Sequence, residues 1–121
     1  MDSTTTIVLR YRDGRTERAT LIETDVDQQI VRVTRDDGAK DELPFSALKA
    51  LFFPRTGQDA ALEPASGSTI AIEFADGEVI RGVAQYNPER NGFFLFPLDR
   101  SKNDRIFVVN SAIVSIEVER L

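Results

Sequence analysis

The chain contains no cysteine and no histidine. Their absence removes disulfides, thiolate nucleophiles, thiolate zinc sites and imidazole metal ligands together. It also removes the side chain that most often moves protons near neutral pH. A metal would have to be held by carboxylates and carbonyls, the ligands of calcium or magnesium, and no acidic spacing matches a calcium loop. No run of about 18 apolar residues is present, so no helix is expected to span a membrane. The opening MDSTTT lacks the basic-then-apolar order of a secretion signal. A cytoplasmic location is expected, either for the chain alone or for a larger protein that includes it. Net positive charge is missing too. The formal charge is −5, with −1 in residues 1–57 and −4 in residues 58–121. A nucleic-acid binder needs a positive surface to displace counterions from phosphates, so nucleic acid is not expected as a partner.

What is present is a duplicated pattern. Thr6-Ile7-Val8-Leu9-Arg10-Tyr11-Arg12-Asp13-Gly14 matches Thr69-Ile70-Ala71-Ile72-Glu73-Phe74-Ala75-Asp76-Gly77 at an offset of 63, which also aligns Arg18-Ala19 with Arg81-Gly82. Ser46-Ala47-Leu48 aligns with Ser111-Ala112-Ile113 at 65, so the second copy carries two extra residues. Ile7, Leu9 and Tyr11 alternate with Val8, Arg10 and Arg12 at the period of a strand, and Asp-Gly is a hairpin signal. Further strands are predicted at Thr16–Thr24, Gln29–Thr34, Asp41–Phe45 and Leu48–Phe53, with a helical turn near Ser46–Lys49. The second copy predicts strands at Ser68–Ala75, Glu78–Tyr86, Gly92–Pro97, Arg105–Val109 and Ala112–Val118. Ala19 and Gly82 suit a bend where a larger side chain would crowd.

These patterns predict an all-β protein of two tandem small SH3-like or Sm-like five-strand barrels packed together. Residues 1–55 form the first barrel, 56–67 a linker rich in Pro, Gly and Ser, and 68–121 the second barrel. Each copy is small for an independent domain, so the two should touch, with Leu51, Phe52 and Phe53 as the contact.

Candidate binding residues cluster in the second copy. Asn-Pro and Asn-Gly turns precede the aromatic strand Gly92–Pro97, and a charged loop follows it. Tyr86, Asn87, Arg90, Asn91, Asp99, Arg100, Lys102, Asn103 and Arg105 are the candidate ligand- or partner-binding set. An arginine there can stack on an exposed base or pair with a phosphate. The bland reading is that the phenylalanines are core and the loop charges are solvated. Arg10, Arg12, Arg15 and Arg18 form a second basic stripe, which Asp13, Glu17 and Glu23 are expected to neutralise. No catalytic set emerges: Ser46 and Ser111 lack a histidine partner, and no glycine loop cradles a phosphate.

The string DGEVIRGVAQYNPERNGFFLFPLDRSKNDRIFVVNSAIVSIE resembles an uncharacterised bacterial domain family with an NPxRxGFFLFPxD stretch and an NxRIFVV strand. DELPFSALKALFF is similar to the end of that family's leading half, so the resemblance spans nearly the whole chain. Thr24-Asp25-Val26-Asp27 departs from it, standing where a P-x-R turn is usual. The resemblance implies tandem small β-barrels associated with PilZ-type signalling proteins. PilZ domains themselves bind cyclic di-GMP through RxxxR and DxSxxG. Here Asp99 and Ser101 fit the second motif, but Asp104 replaces its glycine and no RxxxR precedes it. The functional expectation is therefore a non-enzymatic interaction or signalling accessory module with a protein partner and no cofactor. The alternatives are nucleotide or RNA binding through the Arg90–Arg105 loops, and a structural role through homo-oligomers.

Overall fold

A computed structural model describes residues 5–54, 67–98 and 103–119. The first copy supplies β1 (Thr5–Tyr11), β2 (Thr16–Asp25), β3 (Ile30–Thr34), β4 (Lys40–Pro44) and β5 (Leu48–Pro54). The second supplies β6 (Ser68–Phe74), β7 (Val79–Ala84), β8 (Gly92–Pro97), β9 (Asn103–Val109) and β10 (Ile113–Glu119). A single 3-10 turn precedes the last strand of each copy, at Phe45–Ala47 and Asn110–Ala112. Only the first of these was expected from the sequence. Asp13-Gly14 and Asp76-Gly77 are the turns their composition predicts, with both glycines at positive φ.

The chain is all-β, and its ten strands form one antiparallel sheet in the order β10-β6-β7-β8-β9-β5-β1-β2-β3-β4. That sheet is not closed into a barrel, which differs from the expected pair of barrels. Each copy keeps the same internal order: fifth, first, second, third, fourth strand. The copies then merge because β5 pairs on one side with β1 and on the other with β9. Across that junction Leu51 faces Phe107, Phe52 faces Ile106 and Phe53 faces Arg105. β5 lies inside the sheet, and all six residues of Leu48–Phe53 are buried. The expected contact residues Leu51, Phe52 and Phe53 do lie at the junction.

One cluster of buried residues runs through both copies, from Ile7 and Leu9 through Leu51 and Phe53 to Ile72, Phe74, Leu95 and Phe107. Gly82 sits where β7 crosses β8, and a Cβ there would stand 2.5 Å from the Phe96 carbonyl oxygen and 2.8 Å from Leu95 Cγ. The bend anticipated at this glycine is thus a close approach that no side chain fits.

Polar groups clamp the junction. Lys49 is only 5% exposed, and its ammonium donates to Asp76 Oδ2 at 2.8 Å and to Glu78. This pairing holds the Asp76 carboxyl below its ordinary range, together with the Glu78 backbone N–H. Lys49 also lies 4.7 Å over the Phe74 ring. Arg12 reaches across from the turn after β1, donating to the Leu48 and Phe45 carbonyls at 2.9 and 3.1 Å and to Ser111 Oγ at 2.6 Å. These contacts decide the fate of the basic stripe. Arg15 pairs with Asp13 as anticipated, but Arg10 meets Glu78 of the second copy. Glu17 and Glu23 are engaged elsewhere, by Arg35 and Arg32.

Candidate functional site

The second copy's turn before β8 builds the most developed cavity of the candidate region, about 590 Å³ in volume. Its floor is aromatic: Phe93, Phe94 and Phe96 from β8, Phe107 from β9 and Tyr86 from the segment after β7. Val26 of the first copy completes one wall, and Asn87 and Arg90 stand at the rim. The site therefore belongs to neither copy alone.

Local sequence explains the placement. The Asn87 side chain accepts from the Glu89 N–H at 2.9 Å, and the Asn87 carbonyl accepts from the Arg90 N–H at 3.1 Å. These bonds fold Asn87-Pro88-Glu89-Arg90 into a tight turn. Asn110 fastens that turn from the far side, donating to the Pro88 and Arg90 carbonyls at 3.1 and 2.7 Å. Asn91 donates from its side-chain amide to the Val26 carbonyl at 2.9 Å, joining the turn to the first copy. The segment Thr24–Asp27 of the first copy is thus the docking point for Asn91. The Arg90 backbone is pinned while its side chain is exposed.

Gly92 shapes the floor. A Cβ on it would stand 2.7 Å from Phe107 Cε2 and closer still to Cζ. The missing side chain lets the Phe107 ring close against the strand, where it meets Phe94 edge-on at 5.3 Å and Phe45 at 5.8 Å. Tyr86 and Phe93 form a second edge-on pair at 5.3 Å.

The nine expected residues separate into groups. Tyr86, Asn87 and Arg90 line the cavity. Asn91 borders a shallower groove of about 320 Å³ on the other side of Arg90, and its role is to hold the turn. Arg105 lies behind the wall, its guanidinium carbon 4.6 Å from the Phe53 ring centroid and 5.1 Å from that of Phe94. Its Nε is buried with no hydrogen-bond partner among the described residues. Asn103 begins β9 and pairs in register with Pro54, away from the cavity. Asp99, Arg100 and Lys102 lie outside the described residues. Sequence reasoning missed Val26, Asn110 and Phe107. Their signals were weak because each reaches the turn from a distant part of the chain.

The bland reading of the aromatic strand holds for only part of it. Phe93 and Leu95 are buried, whereas Phe94 is 41% exposed and Phe96 is half-buried. Chemically, the arrangement offers ring faces, one exposed cation and amide groups. Among the described residues no cluster of acidic side chains could hold a metal ion, and no helix is long and apolar enough to cross a membrane.

A two-copy all-β sheet with an aromatic cavity at its seam defines the class of protein. The chain belongs to the family of unknown function DUF6982, whose model matches residues 3–120. Comparison with curated proteins and with solved structures gives no match.

Proposed function

We propose that this chain is a non-catalytic interaction module of bacterial signalling systems, built from two SH3-like or Sm-like units, that grips a partner protein through the seam cavity. The observation that carries this reading is the Phe94–Phe96–Phe107 floor beneath an exposed Arg90. Apolar ring faces at the base of a cleft with a few oriented polar groups at its rim are the usual make-up of a binding pocket. Aromatic and arginine side chains dominate the energetics of protein recognition. The fitting occupant is a partner segment with one aromatic or large aliphatic side chain for the floor and an acidic group for Arg90.

Selection from a displayed library of random peptides tests this directly. Wild-type protein should enrich sequences that combine an apolar anchor with an acidic neighbour. Arg90→Glu, at an exposed position, should fold normally and lose them. Failure to enrich, or binding indifferent to Arg90→Glu, refutes the reading.

One observation favours a second reading. Aromatic rings beside an arginine also suit a nucleobase and its phosphate. A thermal melt with cyclic di-GMP, other cyclic dinucleotides and a short single-stranded RNA separates the two. A ligand at a hundred times its Kd adds about 2.7 kcal/mol of stability. A shift that falls as salt rises, and is lost in Arg90→Glu, selects the nucleotide.

A further inference from the structure

The two ends of the sheet differ in a way that the internal duplication exposes. The first copy's fifth strand, β5, is paired on both sides and wholly enclosed. Its counterpart β10 holds the same place in the second copy but, among the described residues, pairs only with β6. The register places Ile116 beside Ile72 and Val118 beside Ile70, on the face that carries the core. Yet Val114 and Val118 are 61% and 55% exposed. At the other end of the sheet, β4 is an edge of a different kind. It reads Lys40-Asp41-Glu42-Leu43-Pro44, with Asp41 engaged by Arg35 and Glu42 by Arg32. Charge and proline on an edge strand keep it from pairing with another chain. β10 carries neither proline nor lysine; its charges are Glu117 and Glu119 near its end, and a bulge lies between Ile113 and Ser115.

We infer that β10 is a dimerisation edge, pairing antiparallel with β10 of a second copy of this chain about a two-fold axis at Ile116. The stretch Val114-Ser115-Ile116-Glu117-Val118 is self-complementary in that register, and Ile113 falls opposite Glu119. Ile116 meets Ile116 of the second copy, Val114 meets Val118, and Ser115 meets Glu117 with a hydroxyl for its carboxylate. Moving the axis to Glu117 would set two carboxylates face to face, which costs stability. The β5–β9 junction shows that the outer edge of a fifth strand in this fold accepts an antiparallel partner. The charged β4 cannot play that part for β10: equivalent pairing would set Asp41 against Glu117 and Glu42 against Ile116.

The area of one seven-residue edge is small for an interface, so the dimer is concentration-dependent and not obligate. Each chain carries −5, so the copies repel, and added salt should tighten the dimer by screening. This inference is independent of the seam cavity.

Sedimentation equilibrium across a wide range of concentration and salt, with a disulfide trap, tests it. The wild-type mass should rise toward twice the monomer as either variable increases. Val118→Lys changes an exposed residue and should hold the protein monomeric, with its dilute-solution melting temperature unchanged. Val79→Lys, exposed on β7, should dimerise as wild type does. Because the chain has no cysteine, Ile116→Cys should cross-link to itself under oxidation and Val79→Cys should not. A monomer at the highest concentration and salt overturns the inference. So does a dimer that survives Val118→Lys, or an Ile116→Cys protein that stays uncross-linked.

Discussion

Gly92→Ala is the sharpest probe of the seam. In an ordinary strand the change would help, because alanine is favoured over glycine in an extended interior by about 0.5–1 kcal/mol. Here the new methyl would stand 2.7 Å from Phe107 Cε2 and 3.0 Å from the Val108 carbonyl oxygen. Phe107 cannot simply swing away, since it is 2% exposed and packed between Phe45 and Phe94. Overpacking of this sort costs about 1–3 kcal/mol. The clash therefore outweighs the backbone gain, and the net loss should be about 1–2 kcal/mol. For a chain between the small and medium size classes that is a fall in Tm of roughly 3–10 °C. Urea unfolding followed by far-ultraviolet circular dichroism measures it. Phe107→Leu removes the clashing ring atoms and alone costs about 1–2 kcal/mol. The double variant Gly92→Ala/Phe107→Leu should be more stable than the sum of the single losses, with a coupling of about 0.5–3 kcal/mol. A Gly92→Ala protein as stable as wild type, or an additive double variant, would show that the ring does not depend on the missing side chain.

Two further outcomes test the clamps around the seam. Asp76 has its carboxyl lowered by Lys49, so the contact stabilises the protein above the ordinary carboxylate value of 3.8 and is lost as pH falls through the lower folded value. Asp76→Asn should cost no more than about 1 kcal/mol at pH 7, since the carboxylate is part-exposed; in urea titrations that gap should stay flat to about pH 5 and close below about pH 4. Arg105→Lys keeps the charge but loses the planar stack on Phe53 and Phe94, and should lower stability by about 0.5–1 kcal/mol. A thermal melt indistinguishable from wild type would show that charge alone suffices.

Strand positions were legible because they depend on local alternation and on Asp-Gly turns. Gly92–Pro97 matches its predicted span, and β2 extends one residue past Thr24 to Asp25. Joining the two copies into one sheet was not legible in the same way, because pairing at an edge is a non-local event that no alternation records. One signal was present and pointed the right way. Leu48-Lys49-Ala50-Leu51-Phe52-Phe53 lacks period two, as strands covered on both faces do. Even Lys49 obeys that rule, being buried against two carboxylates of the second copy. The site was partly legible for a similar reason. Asn87 and Asn91 advertise turns, and the aromatic run announces itself. What the run faces depends on Val26, Asn110 and Phe107, which the fold alone brings near. Gly92 read as the second half of an Asn-Gly turn, whereas its structural requirement is the ring of Phe107.

The duplicated unit allows each strand to be compared with its own counterpart in a different setting, and edge chemistry follows the setting. The fourth strand of the second copy is enclosed between β8 and β5 and reads Asn-Asp-Arg-Ile-Phe-Val-Val. The fourth strand of the first copy lies at the rim and reads Lys-Asp-Glu-Leu-Pro. Ile106 and Phe107 at the covered strand correspond to Asp41 and Glu42 at the open one, an exchange of apolar for charged residues where water replaces a neighbour, while Val108 corresponds to the buried Leu43. The fifth strands begin the same exchange, with Glu117 at the place of Phe52 and Glu119 at that of Pro54. They do not complete it, for Leu51 and Phe53 correspond to Ile116 and Val118, and Lys49 to Val114. Had solvent alone shaped β10 as it shaped β4, the exposed valines would be its least expected residues. An apolar residue kept at the place of Phe53 and one gained at that of Lys49 fit a strand that alternates between water and a second copy of itself.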